Sequence, residues 1–149
     1  MPASFTRRAA LSMTGLGLLA ACAPAASTPA SAPAAAAPAL AKDARITAVG
    51  QFTGASNHET RGTARVARSE GQWLIELGED FFHDGAPDPK VALGADGFRE
   101  EAILAPLASL SGQQVYALKS GLNIGNYNEV WIWCQQFSVP LGVAKLELV

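Results

Sequence analysis

Five consecutive apolar residues, Val130-Trp131-Ile132-Trp133-Cys134, place the strongest constraint on what this chain can fold into. The run is too short for a helix of ordinary length, and its β-branched and aromatic members favour extended backbone. An uninterrupted apolar run suits a central strand covered on both faces. Alternation puts Val130, Ile132 and Cys134 on one face and Trp131 with Trp133 on the other. Such a strand needs partners on both sides, and the sequence upstream and downstream offers them.

Ile46 to Gly54 reads as a first strand, its glycines marking a bulge or a close backbone approach. Ala55-Ser56-Asn57 turns the chain, and His58 leads a polar entry into a second strand through Gly62, Ala64 and Val66. Ser69-Glu70-Gly71 connects as a hairpin to Gln72–Leu77, where Trp73, Ile75 and Leu77 share a face. His83-Asp84-Gly85-Ala86-Pro87-Asp88-Pro89 forbids regular structure and predicts a fixed loop, with His83 solvated beside Asp84. Lys90–Leu93 and Gln113–Leu118 read as strands, and Glu100–Leu104 as a helical turn or two stopped by Pro106. Val143–Val149 alternates, with Ala144, Leu146 and Leu148 expected inward. The pattern predicts an all-β fold: an antiparallel β-sandwich or barrel-like sandwich of about seven to nine short strands, with at most one short helix.

The N-terminal part reads differently. Residues 1–21 carry a basic start with Arg7 and Arg8, then an apolar Gly- and Ala-rich run ending Leu19-Ala20-Ala21, the layout of a secretory signal peptide. Thr6-Arg7-Arg8 fits a twin-arginine export signal as well as an ordinary one. Leu19-Ala20-Ala21-Cys22 resembles a bacterial lipoprotein cleavage box, which implies lipidation at Cys22 and a membrane anchored through it. The implied location is the bacterial cell envelope, facing the periplasm. Ala23 stands where an inner-membrane retention aspartate would be, which favours the outer membrane. Residues 22–41 form an Ala/Pro-rich tether with prolines at 24, 29, 33 and 38, and residues 42–149 make one β domain.

With Arg7 and Arg8 removed, nine basic residues face thirteen acidic ones, and no basic stripe with interleaved aromatics appears. Nucleic acid is therefore not an expected partner. With Cys22 lipidated, Cys134 has no cysteine to pair with in its own chain. It is buried and inert, paired with another molecule, or reactive. The chain lacks a phosphate-binding glycine loop, a Gly-x-Ser-x-Gly elbow, His-Glu-x-x-His and Cys-x-x-Cys, so no catalytic motif marks it as an enzyme. His58, His83 and Cys134 match the residue count of a blue-copper site. However, Met1 and Met13 lie in the signal and no histidine follows Cys134, so no metal site is assigned.

Several segments together carry a resemblance. They are Gly50-Gln51-Phe52, His58 with Gly62, Ala86 through Leu93, Leu107, Gly112 through Tyr116, Tyr127, Val130 through Cys134, Phe137, Val139 and Ala144-Lys145-Leu146. In order and spacing this chain resembles the electron-transfer DM-thirteen family, the module that accompanies DOMON domains in the Skeletor protein and also stands alone in bacterial lipoproteins. Lys119 departs from the pattern, at a position where proline is expected. The resemblance implies an all-β domain with a redox or electron-transfer role, Cys134 as the redox residue and a redox protein as partner. It names no cofactor. The residues to follow are Cys134, His58, Asp88 and Trp133. Each also has a plainer role: Cys134 as a small core residue, His58 as a turn residue, Asp88 fixing its loop by accepting backbone N–H bonds, and Trp133 supplying core area. A non-catalytic binding or assembly module displayed on a flexible tether is the alternative.

Overall fold

The computed structural model describes residues 39–149, so the signal peptide (1–21), Cys22 and most of the tether (22–41) lie outside the described residues. The chain runs through β1 (Arg45–Gly54), β2 (Thr60–Arg61), β3 (Thr63–Ser69), β4 (Gln72–Leu77), β5 (Phe82–His83), β6 (Pro89–Gly94), β7 (Phe98–Pro106) and β8 (Gln114–Ala117). A single 3-10 turn, Ile124–Asn126, precedes β9 (Glu129–Cys134), β10 (Val139–Lys145) and β11 (Glu147–Leu148). One antiparallel sheet of order β7-β6-β9-β10-β1-β3-β4-β8 makes the body, with β11 on β1 and a separate β2–β5 pair. The sheet curls until its edges meet: the Ala108 N–H after β7 donates to Tyr116 Oη of β8 at 3.0 Å. The result is the expected all-β, barrel-like architecture.

Alternation explains the core. Val130, Ile132 and Cys134 of β9 point inward with Val91 and Leu93 of β6, Ala144 and Leu141 of β10, Phe52 of β1, and Ile75 and Leu77 of β4. The opening pentapeptide is indeed internal to the sheet, with β6 on one side and β10 on the other. The Ser69-Glu70-Gly71 hairpin forms with positive φ at Glu70 (48°) and Gly71 (81°), the tight-turn geometry whose twist matches the flanking strands.

Three expectations need correction. Glu100–Leu104 is strand, not helix: Ala102 and Leu104 bury themselves in the barrel while β7 pairs with β6. Pro106 is tolerated because it ends a strand at the sheet edge. Leu148 does not face inward but is 89% exposed, since the chain leaves β10 after Lys145 and β11 only brushes β1. His83 is not solvated; it is fully buried in β5, held by pairing with Thr60 of β2.

Between β2 and β3 the chain kinks at Gly62 (φ 106°), where a side chain would strike the backbone of Asp80 and Phe81. Asp80 secures the kink by accepting the Thr63 N–H at 3.0 Å and the Thr63 hydroxyl at 2.7 Å. Partial burial pushes the Asp80 carboxyl up, but the two Thr63 bonds, with its own backbone N–H and the Arg65 charge, together hold it below the usual carboxylate value. Stability from this group is therefore present above the ordinary carboxylate pKa and lost as pH falls through the lowered folded value. Asp80→Asn should cost about 1 kcal/mol at neutral pH, modest because solvent screens the site. Urea unfolding of both proteins along a pH series should show the difference shrinking on acidification.

Candidate functional site

Gly54 and Gly142 face each other across β1 and β10, and both would aim a side chain into the barrel. Their missing side chains admit another segment of chain. A Cβ on Gly142 would lie 2.6 Å from Thr60 Cβ, and one on Gly54 would lie 2.2 Å from the His58 carbonyl oxygen. Thr60 thus plugs one end of the barrel, and its hydroxyl donates to the Leu141 carbonyl at 2.8 Å.

That plug carries a polar cluster. His83 Nδ1 lies 3.0 Å from Thr60 Oγ1 and 3.5 Å from Asp84 Oδ1. His58 Nδ1 lies 2.9 Å from the same Asp84 oxygen. The other carboxylate oxygen, Oδ2, accepts the Glu59 N–H at 3.0 Å. Since the Thr60 proton goes to Leu141, His83 Nδ1 is the donor to Thr60, and Nε2 is left as a bare nitrogen. Nε2 is buried with no hydrogen-bond partner among the described residues. Burial pushes the proton affinity of His83 down, against the pull of Asp84. Asp84 is held below the usual carboxylate range, first by the Glu59 amide and then by His58.

Cys134 sits at the same end of the barrel. It ends β9, opposite Pro89 of β6 and Val139 of β10, and only 1% of it is exposed. It belongs to the apolar core cluster that also holds Ile132, Leu141 and Phe81. Among the described residues it is a free thiol.

The other two residues singled out go elsewhere. Trp133 faces the outside of the barrel, stacked on Phe98 with ring centroids 3.8 Å apart, so it does not share a face with Cys134. Trp131 beside it donates its indole N–H to Glu129 at 2.9 Å. Asp88 pairs with Lys90 at 2.7 Å, while its carbonyl oxygen accepts the Gln135 N–H at 3.0 Å. The expected role of the Asp88 carboxylate as a backbone acceptor falls instead to Asp80 and Asp84. His58 does make the expected turn bond, N–H to the Ala55 carbonyl at 2.9 Å, and adds the Asp84 contact.

The family model described as Electron transfer DM13 matches residues 51–146, well over half of the chain. The chain belongs to the electron transfer DM13 family. Neither the comparison with curated proteins nor that with solved structures gave a match. The matched span of the DM13 domain contains Cys134, His58, Asp88 and Trp133, together with Thr60, His83 and Asp84. The last three were not anticipated as a group. The one sequence signal was the His83-Asp84 dipeptide, but the two-residue strands that bring it to His58 are too short to leave a periodic pattern.

Proposed function

We propose that this chain is a lipid-anchored envelope protein whose DM13 domain passes electrons, with Cys134 as the redox residue. The observation that carries the reading is a free, solitary thiol inside a domain of an electron-transfer family. The lipid on Cys22 and the Ala/Pro tether would hold the domain at the membrane and give it reach towards a redox protein partner. In such an exchange the Cys134 thiol loses its proton to water and the resulting thiolate attacks a partner disulfide. A new intermolecular S–S bond forms, and one partner sulfur leaves as thiolate. A buried thiol can do this only when its surroundings open, and the Gln135–Ser138 turn that follows it is the natural place. There Phe137 is 60% exposed and Ser138 holds φ at 53°.

Thiol trapping of the natively exported protein tests the reading. The expected result is slow labelling of Cys134, fast labelling after unfolding, and mixed-disulfide adducts with envelope proteins that vanish in Cys134→Ser. A thiol that never reacts in the folded protein, together with a fully functional Cys134→Ser strain, overturns it.

One observation favours a second reading, a binding module. At the opposite end of the barrel, Trp73, Ile124, Tyr127 and Leu146 line an open cleft of about 530 Å³. A ligand displaced by Trp73→Ala but not by Cys134→Ser would favour that alternative.

A further inference from the structure

We propose that His58, His83 and Asp84 form a binding site for one divalent first-row transition-metal ion, at the plugged end of the barrel. Two imidazoles and a carboxylate are a donor set suited to Zn²⁺, Co²⁺ or Fe²⁺. The ligand atoms of the three residues lie within 4.8 Å of one another. Metal–nitrogen and metal–oxygen bonds of about 2.0–2.1 Å at tetrahedral angles require donors roughly 3.3 Å apart. The separations from Asp84 Oδ1, 2.9 Å to His58 Nδ1 and 3.5 Å to His83 Nδ1, bracket that value. An ion replacing the shared protons would keep both imidazoles near their present distances from Asp84 Oδ1.

The surroundings are built to present this set. Asp84 Oδ2 is committed to the Glu59 amide, so the carboxylate is fixed and offers Oδ1 as a single donor. His83 is locked by burial and by the β2–β5 pairing that sets Thr60 opposite it. His58 and Asp84 are about a third exposed, 31% and 36%, so an ion can enter and the remaining coordination positions face water. On binding through Nδ1, His83 would carry its proton on Nε2, which makes no hydrogen bond among the described residues. An ordinary histidine–aspartate pair needs one imidazole. Here two converge on one oxygen of an anchored carboxylate. The proposal goes beyond the electron-transfer reading and does not depend on it, since it uses neither the lipid nor Cys134.

The test is a Co²⁺ titration of the full chain, without a polyhistidine tag, followed by visible absorption and reversed with Zn²⁺. The expected result is one equivalent bound, with the intense bands of a four-coordinate ion. His58→Ala and Asp84→Asn should each weaken binding on the order of a hundredfold, since each removes a ligand rather than an outer partner. Both positions are solvent-accessible, and the asparagine keeps an acceptor for the Glu59 amide, so circular dichroism should show both variants folded. Cys134→Ser should bind Co²⁺ as the parent does, which separates failure of this site from failure of the thiol chemistry. Absence of saturable binding in the parent, unchanged affinity in both ligand variants, or loss of binding in Cys134→Ser each overturns the proposal.

Discussion

Gly54→Ala should destabilise the domain by about 3 kcal/mol and dismantle the polar cluster, although it adds only one methyl group. The backbone angle is not the obstacle, because Gly54 is not among the positive-φ glycines. The conflict is one of space. The new Cβ would lie 2.2 Å from the His58 carbonyl oxygen and 3.0 Å from the Thr60 nitrogen, and neither is the flexible end of a side chain. Relief requires β1 to bend or β2 to leave the barrel, and overpacking of this kind costs roughly 1–3 kcal/mol, occasionally more. For a domain of this size, 3 kcal/mol corresponds to a fall in Tm on the order of 12 °C or more. Calorimetry of the parent and the variant measures it. Gly125→Ala serves as the control, since its Cβ would meet only Asn123 Oδ1, at 3.4 Å, and the change in Tm should be small. If β2 is expelled, Thr60 loses the Leu141 carbonyl and His83 loses Thr60. Co²⁺ binding should then fall with stability in Gly54→Ala. A variant as stable as the parent would mean that the glycine pair is not what admits the plug.

The same pair of glycines shows what was and was not legible in the sequence. The barrel strands announce themselves because their alternation is enforced by burial: Trp73-Leu74-Ile75-Glu76-Leu77 and Val130 through Cys134 can satisfy their apolar side chains in few other ways. Glycines at 54 and 142 suggest close approach, but a lone sequence cannot say what approaches. Thr60 comes from a two-residue strand, and its partner His83 follows two phenylalanines and precedes a loop rich in proline, glycine and aspartate. Composition alone makes that segment look wet. Tertiary pairing overrides it, because the His83 N–H bonds the Leu110 carbonyl at 2.8 Å and the Asp84 N–H bonds the Glu59 carbonyl at 3.1 Å. Trp133 lies where alternation along Val130 through Cys134 puts it, on the face away from Cys134, whereas Asp88 sits where no period applies and its pairing with Lys90 is a matter of tertiary structure. Alternation separates Cys134 from Trp133, and the burial of both neighbouring strands decides that the Cys134 face is the barrel interior.

Cys134→Ser should abolish thiol-dependent redox chemistry, and comparison with Cys134→Ala should reveal what surrounds the sulfur. Both variants remove the only thiol among the described residues, so labelling and mixed-disulfide formation should fall to background in each. Their stabilities should differ. Alanine leaves a small void in a core of Ile132, Leu141 and their neighbours, at a cost of about 1 kcal/mol. Serine fills most of the volume but places a hydroxyl in the apolar core, and an unsatisfied buried hydroxyl costs roughly 1–3 kcal/mol. The expected order is therefore parent, then alanine, then serine, read from chemical denaturation at neutral pH. Serine as stable as the parent would mean that a polar group turns towards the sulfur in solution. His83 Nε2, buried at the same end of the barrel and unpartnered among the described residues, is the candidate for that group. In that case His83→Gln should slow thiol labelling of the folded protein without changing the labelling rate of the unfolded chain, which marks a proton acceptor rather than a packing partner. If serine is the least stable of the three, the thiol lies in apolar surroundings, and its reactivity is governed by how often the Gln135–Ser138 turn opens.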